Sequence, residues 1–245
     1  MKEIKEKIED NQKNEDKEEV NEAIKKKQNS QMRFALFLMV AIIIIIVGVP
    51  YINNTFLNNF EYKGLEFQKT KLGDLVFYSS RFPVVTPTGK VIGNYAVNFR
   101  NDPRKLEDIK VNVSNNTIKF AVEGNKFSPV YISLNPYMEI CEDSVISMAG
   151  LSKFLGDSGL QVSSAYTDKP FATKNNATYR WCDSSFFDTV IVVTDGNESS
   201  ITEIMPNCYK LTFNDCRILE VSEKFQLSIL EEYAFRFKNK ENFEK

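Results

Sequence analysis

Asp195 is the residue best placed to do chemistry. It ends the β-branched run TVIVVTDG (residues 189–196), and a carboxylate at the end of a buried strand can hold a divalent cation. A metal-dependent centre there needs a second acid, and Asp188, Glu198 and Asp183 are the candidates. The competing reading is a strand running into an Asp-Gly turn, in which Gly196 supplies a positive φ. Arg100 and Arg104, in FRNDPRKLEDI, could clamp an anion. They could equally flank a short helical turn over residues 103–107, capped by Asp102 and opened by Pro103. The chain contains no histidine. That removes the commonest general base, the commonest neutral metal ligand, and every Ser-His or Cys-His nucleophile pair. Catalysis would fall to carboxylates, Lys, Tyr or Ser-Lys pairs, so the reading leans away from an enzyme, and no cofactor is expected.

A hydrophobic strand ending in Thr-Asp-Gly resembles the fourth strand of a von Willebrand factor A-type domain, whose Asp helps to hold a cation. The resemblance covers residues 191–197. That family also carries an earlier Asp-x-Ser-x-Ser loop. The nearest match, from Asp183 through Ser184 and Ser185 to Phe187, fails at its last position. Asp195-x-Asn197-x-Ser199 echoes a calcium loop, but Ser200 and Pro206 stand where that loop needs Gly and Glu.

Four cysteines, Cys141, Cys182, Cys208 and Cys216, have no C-x-x-C spacing and no histidine to complete a zinc site. An even count beyond an export segment fits two disulfides, with three connectivities. The pairs expected are Cys208–Cys216, closing a strand-to-helix loop, and Cys141–Cys182; zinc is the rival use. Asn-x-Ser/Thr sequons stand at Asn53, Asn112, Asn115, Asn176 and Asn197. The four from Asn112 onward are candidate glycosylation sites, whereas Asn53 lies too close to the bilayer.

These residues are positioned by a chain with one decisive segment, FALFLMVAIIIIIVGVPYI (residues 34–52). It has nineteen uncharged residues, including five successive Ile. At about 1.5 Å per residue it reaches roughly 28 Å, close to the thickness of a bilayer core. A buried helix of a soluble core would keep some polar face, and this run has none. Lys25, Lys26, Lys27 and Arg33 precede it, and the next charge is Glu61. The positive-inside rule then predicts a cytoplasmic N-terminus, an extracellular C-terminal bulk and an uncleaved signal-anchor. A cleaved signal peptide would need an unusually long n-region, and VGVPYINN offers no small-x-small site. A pilin-type leader would want a Gly before the apolar run and a Glu within it.

Residues 1–32 are densely charged with both signs. Ile4–Ile8 and Val20–Ile24 have i,i+4 spacing, which suits either a short partner-binding helix or a solvated tail. Such a tail is too short for a folded output domain, which argues against a signalling receptor. Residues 60–135 alternate as short strands between Gly, Pro and Asn. From 141 to 238 the pattern turns α/β. A helix in EDSVISMAGLSKFLGDSG presents Val145, Met148, Leu151 and Leu155 and stops at Gly156 or Gly159. Strands follow at LQVSSAY, TVIVVTD and CYKLTF, separated in part by a polar loop over 167–180. A long helix from Asp215 presents Ile218, Val221, Phe225, Ile229 or Leu230, and Tyr233. The fold class expected is α+β: one transmembrane helix, a β-rich region, then an α/β portion. A formal charge of −2 and the lack of a basic stripe exclude nucleic acid as a main partner.

Three phrases, FRNDPR, EICEDSVISMAGLSKFLGDSGLQV and VIVVTDGNESSITEIMPNCYKLTFNDCRILEVSEKFQLSIL, resemble uncharacterised single-pass surface proteins of small-genome archaea. The resemblance implies an architecture and a compartment, and no functional residues. The expected function is a membrane-anchored ectodomain in a binding or envelope-assembly role, with the bilayer at residues 34–52 and a surface protein or glycan as partners. The alternative is an exported metal-dependent enzyme or adhesion domain centred on Asp195.

Overall fold

A computed structural model describes residues 32–49 and 58–243, apart from Ala35, Pro87, Gly89, Ser185 and Phe186. The charged tail before residue 32 and Asn53 lie outside the described residues. The chain divides into two units, Met1–Leu57 and Asn58–Lys245. The fold class is α+β, with 32% helix and 36% strand.

In the first unit, helix α1 (Met32–Val49) has a mean hydropathy of 2.8, and none of its described residues is buried. It is long and apolar enough to cross a membrane. Phe34, Leu36, Ile44 and Val47 are exposed, and no face of the helix after Arg33 is polar.

The second unit begins with a four-stranded antiparallel meander. Its strands are β1 (Asn59–Tyr62), β2 (Leu65–Leu72), β3 (Leu75–Val85) and β4 (Val91–Phe99), neighbours in chain order. Lys63 and Gly64 both take positive φ, 50° and 79°, which is the turn geometry that matches strand twist in a two-residue hairpin. Next come β5 (Lys110–Asn112), the small hairpin β6 (Val122–Glu123) and β7 (Lys126–Phe127), and β8 (Val130–Leu134). Helix α2 (Ser144–Asp157) leads to β9 (Val162–Tyr166), and α3 (Lys169–Lys174) follows. The chain closes with β10 (Thr189–Asp195), β11 (Ser200–Met205), β12 (Cys208–Phe213) and α4 (Ile218–Phe243).

The larger sheet has the order β5-β11-β12-β10-β8-β9. Strand β10 runs parallel to both β8 and β12, and residues 189–193 are buried throughout. That burial explains the unbroken β-branched run, since a central parallel strand is covered on both faces. Strands β5 and β8 come from the stretch read as β-rich, yet they pair with β11 and β10 from the α/β stretch. The two stretches are interleaved in one sheet.

Helix α4 contacts α2, strands β11 and β12, and also β2 of the meander. Residues 221–227 are buried on every side, including Ser222, Glu223, Lys224 and Gln226. Phe225 meets Tyr209 on one side, with ring centroids 5.7 Å apart. Helix α2 joins the meander through Phe154 and Phe82, 5.6 Å apart. Each such side chain contributes roughly 1.5–3 kcal/mol by leaving water.

The buried stripe of α2 differs from the one expected. Ser147, Leu151, Phe154 and Leu155 face inward, while Val145 is 80% exposed. Gly156 lies inside the helix, and Gly159, at φ 84°, is the residue that ends it. The polar loop over 167–180 contains α3, capped by Asp168, whose carboxylate accepts from the Phe171 N–H at 2.7 Å.

Candidate functional site

The four cysteines are all bonded, in pairs other than those expected. Cys141 joins Cys216, and Cys182 joins Cys208, with Cα separations of 5.4 and 5.5 Å. The expected Cys208–Cys216 and Cys141–Cys182 pairs fail for a geometric reason. Cys208 opens β12 and Cys216 lies past its end. The six-residue strand alone spans roughly 17 Å and sets the two cysteines towards its opposite ends, whereas a disulfide needs Cα atoms within about 7 Å. The parallel topology decides the true pairing. Cys141 and Cys216 both follow C-terminal ends of parallel strands, β8 and β12. Cys182 precedes β10, and Val190 of that strand pairs with Cys208. One bridge therefore closes each end of the sheet.

Asp195 is exposed at the C-terminal end of β10. One carboxylate oxygen accepts from the Thr194 hydroxyl at 3.3 Å and the other from the Glu139 N–H at 3.4 Å. Asp183 and Asp188 precede β10 at its N-terminal end, so a seven-residue strand holds them roughly 20 Å from Asp195. Asp188 lies 3.7 Å from Arg180, and Glu198 pairs with Lys110 at 2.5 Å. Among the described residues, the group of three potential ligands converging within 4.8 Å is Glu139, Cys141 and Cys216. Two of its members are disulfide sulfurs, which lack the thiolate that metals take. Gly196 also corrects its expectation, since its φ is not positive. A Cβ at this position would stand 2.5 Å from Thr212 Cγ2, so glycine is required by close approach to β12.

Arg100 and Arg104 do not converge as a clamp. Arg104 makes two bonds to Asp102, at 2.9 and 2.6 Å, and lies over the Phe60 ring at 4.2 Å. The hydrogen bonds from Arg104 hold the Asp102 carboxyl below its usual range. Asp102 caps a single 3-10 turn, Pro103–Lys105, which is the capped-turn reading. Arg100 lies over Phe77 at 5.7 Å instead.

The feature that sequence reasoning missed is a groove of about 180 Å³ between β3, β4, α2 and α4. Phe77, Phe82, Ile146, Phe154 and Leu219 give it apolar walls, and Arg100 and Lys153 stand among its polar residues. Glu223 also lines it and is only 3% exposed. Its two oxygens accept from the Arg100 N–H at 2.5 Å, the Asn101 N–H at 3.0 Å and the Asn101 side-chain amide at 2.9 Å. Glu223 thereby ties the end of the meander to α4. Burial pushes its carboxyl up from 4.5 to about 7, against the pull of those three donors. Glu223 lies off the apolar stripe of its helix, so the sequence pattern reads it as solvated.

Asn112, Asn115, Asn176 and Asn197 are all exposed. Asn115 and Asn176 occupy positive-φ positions, 57° and 51°, in tight turns. No protein family, no curated protein and no solved structure matches the chain.

Proposed function

We propose that this protein is a single-pass, membrane-tethered ectodomain whose role is binding or envelope assembly rather than catalysis. The carrying observation is the pair of disulfides that close both ends of one sheet, in a chain that also bears an uncovered apolar helix. Disulfides persist where the surroundings are oxidising, and they stabilise chiefly by restricting the unfolded chain. The basic residues immediately before α1, with no charge after it until Glu61, favour a cytoplasmic N-terminus and an extracellular folded unit. The exposed sequons fit a surface that glycosylation could modify, and the partner on this reading is a surface protein or a glycan. The resemblance to archaeal single-pass surface proteins points to the same compartment.

The test is a topology experiment on the full chain in intact cells, with distinct epitopes at the two termini. External protease should remove the C-terminal epitope and spare the N-terminal one. The reverse pattern, or protection of both, would overturn the placement. A non-reduced peptide map after thiol blocking should return two disulfide-linked pairs.

A further inference from the structure

We propose that β4 is a self-association strand, which pairs antiparallel with β4 of a second copy to make one eight-stranded sheet. Among the described residues β4 has one neighbour, β3, so its other side offers unpaired N–H and C=O groups. Natural edge strands are usually blunted by charge, proline or shortness. Strand β4 has none of these over nine residues, VIGNYAVNF. The other edges of the two larger sheets are shorter, and β9 is bridged at its end. Strand β1 is four residues long and carries Glu61, β5 is three residues long, and Tyr166 of β9 already bridges to Tyr179.

The lack of charge selects a second copy as the occupant. A two-fold antiparallel pair sets residues near the axis against their own duplicates, where like charges would repel. An uncharged strand such as β4 meets that condition whichever residue lies on the axis. Centred on Ala96, the register pairs Asn94 with Asn98 of the second copy, which are amides that can bond to each other. It also pairs Tyr95 with Val97 of the second copy, an aromatic against a β-branched residue. Tyr95 is 41% exposed and would gain cover in this register. Residues 96–98 line the groove beside α2 and α4, so the added strand would run along it. A shared membrane raises the local concentration of copies, and a two-fold axis along its normal keeps both anchors in one bilayer. The inference does not depend on which side of the membrane the folded unit occupies.

The experiment uses the full chain in detergent micelles, with molar mass read by light scattering during size exclusion. Wild type should be a dimer at about 10 µM. Ala96→Lys and Ala96→Glu should each weaken association at least tenfold, and an equimolar mixture of the two should restore the dimer. A wild-type monomer, or dimers indifferent to both substitutions, would overturn the proposal. Should either variant fail to fold, thiol cross-linking decides. Paired antiparallel strands hold opposite Cα atoms about 4.5–5.5 Å apart, within disulfide reach. Ala96→Cys should then give a covalent dimer under mild oxidation, and Thr70→Cys, on exposed β2, should not. Equal cross-linking at both positions would also overturn it.

Discussion

Replacing Glu223 with Gln should remove a pH dependence of stability whose sign and size follow from the structure. In the unfolded chain the carboxyl titrates near 4.5, and in the fold burial raises it to about 7. Below pH 4.5 both states hold the proton, and the group leaves stability unchanged. Between 4.5 and 7 the unfolded chain releases the proton while the folded one keeps it, so stability falls as pH rises. Above 7 the loss is complete, and about 2.5 pKa steps make it on the order of 3 kcal/mol. The measurement is urea unfolding of wild type and Glu223→Gln from pH 4 to pH 8.5, with both disulfides intact. The Gln oxygen still accepts from one of Arg100 and Asn101, but its NH2 faces the other, a donor itself, so the variant starts from a fixed penalty of about 1–3 kcal/mol. That penalty does not depend on pH. The quantity to read is therefore the variant-minus-wild-type difference, which should rise by about 3 kcal/mol across the range. A flat difference would show that desolvation and the three N–H donors cancel. A falling one would show that the donors win and that Glu223 works as a buried anion, refuting the reasoning above.

Gly196→Ala should destabilise the fold by about 1–3 kcal/mol, because the new methyl meets Thr212 Cγ2 at 2.5 Å. Adding Thr212→Ser, which deletes that carbon, should recover most of the loss in thermal denaturation. Non-reduced peptide mapping should return Cys141 linked to Cys216 and Cys182 linked to Cys208. On the chain-entropy account, opening the first bridge should cost about 4.5 kcal/mol and the second about 3.5, from separations of 75 and 26 residues. Calorimetric titration with millimolar Ca²⁺, Mg²⁺ or Mn²⁺ should give no saturable heat. A binding isotherm abolished by Asp195→Asn would restore the metal-centred alternative.

Local elements were readable because each carries a local signal. The run TVIVVTD is β-branched and uninterrupted, and it folds as the fully covered β10. Asp102 before Pro103 gave both the cap and the turn. Strand β11 carries a weak local signal, because SITEIM mixes polar and apolar residues against a turn-rich flank. Helix α3 lies in the stretch that reads as a polar loop, although Asp168, one residue before Lys169-Pro170, is a helix-start signal. What sequence could not supply is what a second layer imposes. The meander over α4 buries Glu223, Lys224 and Gln226, whose spacing by itself reads as a solvated face. The disulfide pairing depends on three strands running parallel, which no local pattern reveals. Even so, one part of it was within reach. Once CYKLTF is read as a strand of roughly 17 Å, the three residues after Phe213 would have to double straight back along it for Cys216 to meet Cys208.

The same topology bears on where a partner could bind. Open parallel sheets usually take ligands in the crevice beyond the C-terminal ends of their strands. Here that end is bridged by Cys141–Cys216, and the loop after β8 is bound down across it. The Asn135 amide donates to Thr194 at 3.0 Å, and the Glu139 N–H reaches Asp195. The opposite end carries the Cys182–Cys208 bridge. Both ends of the larger sheet are thus spent on stability, and its middle is covered. The meander contributes the other resource: a long uncharged edge, exposed apolar residues and a groove beside them. Glu223 joins that meander to the stapled sheet through α4. A change of its protonation near neutral pH therefore acts on the contact between α4 and the end of the meander, next to the surface left to share.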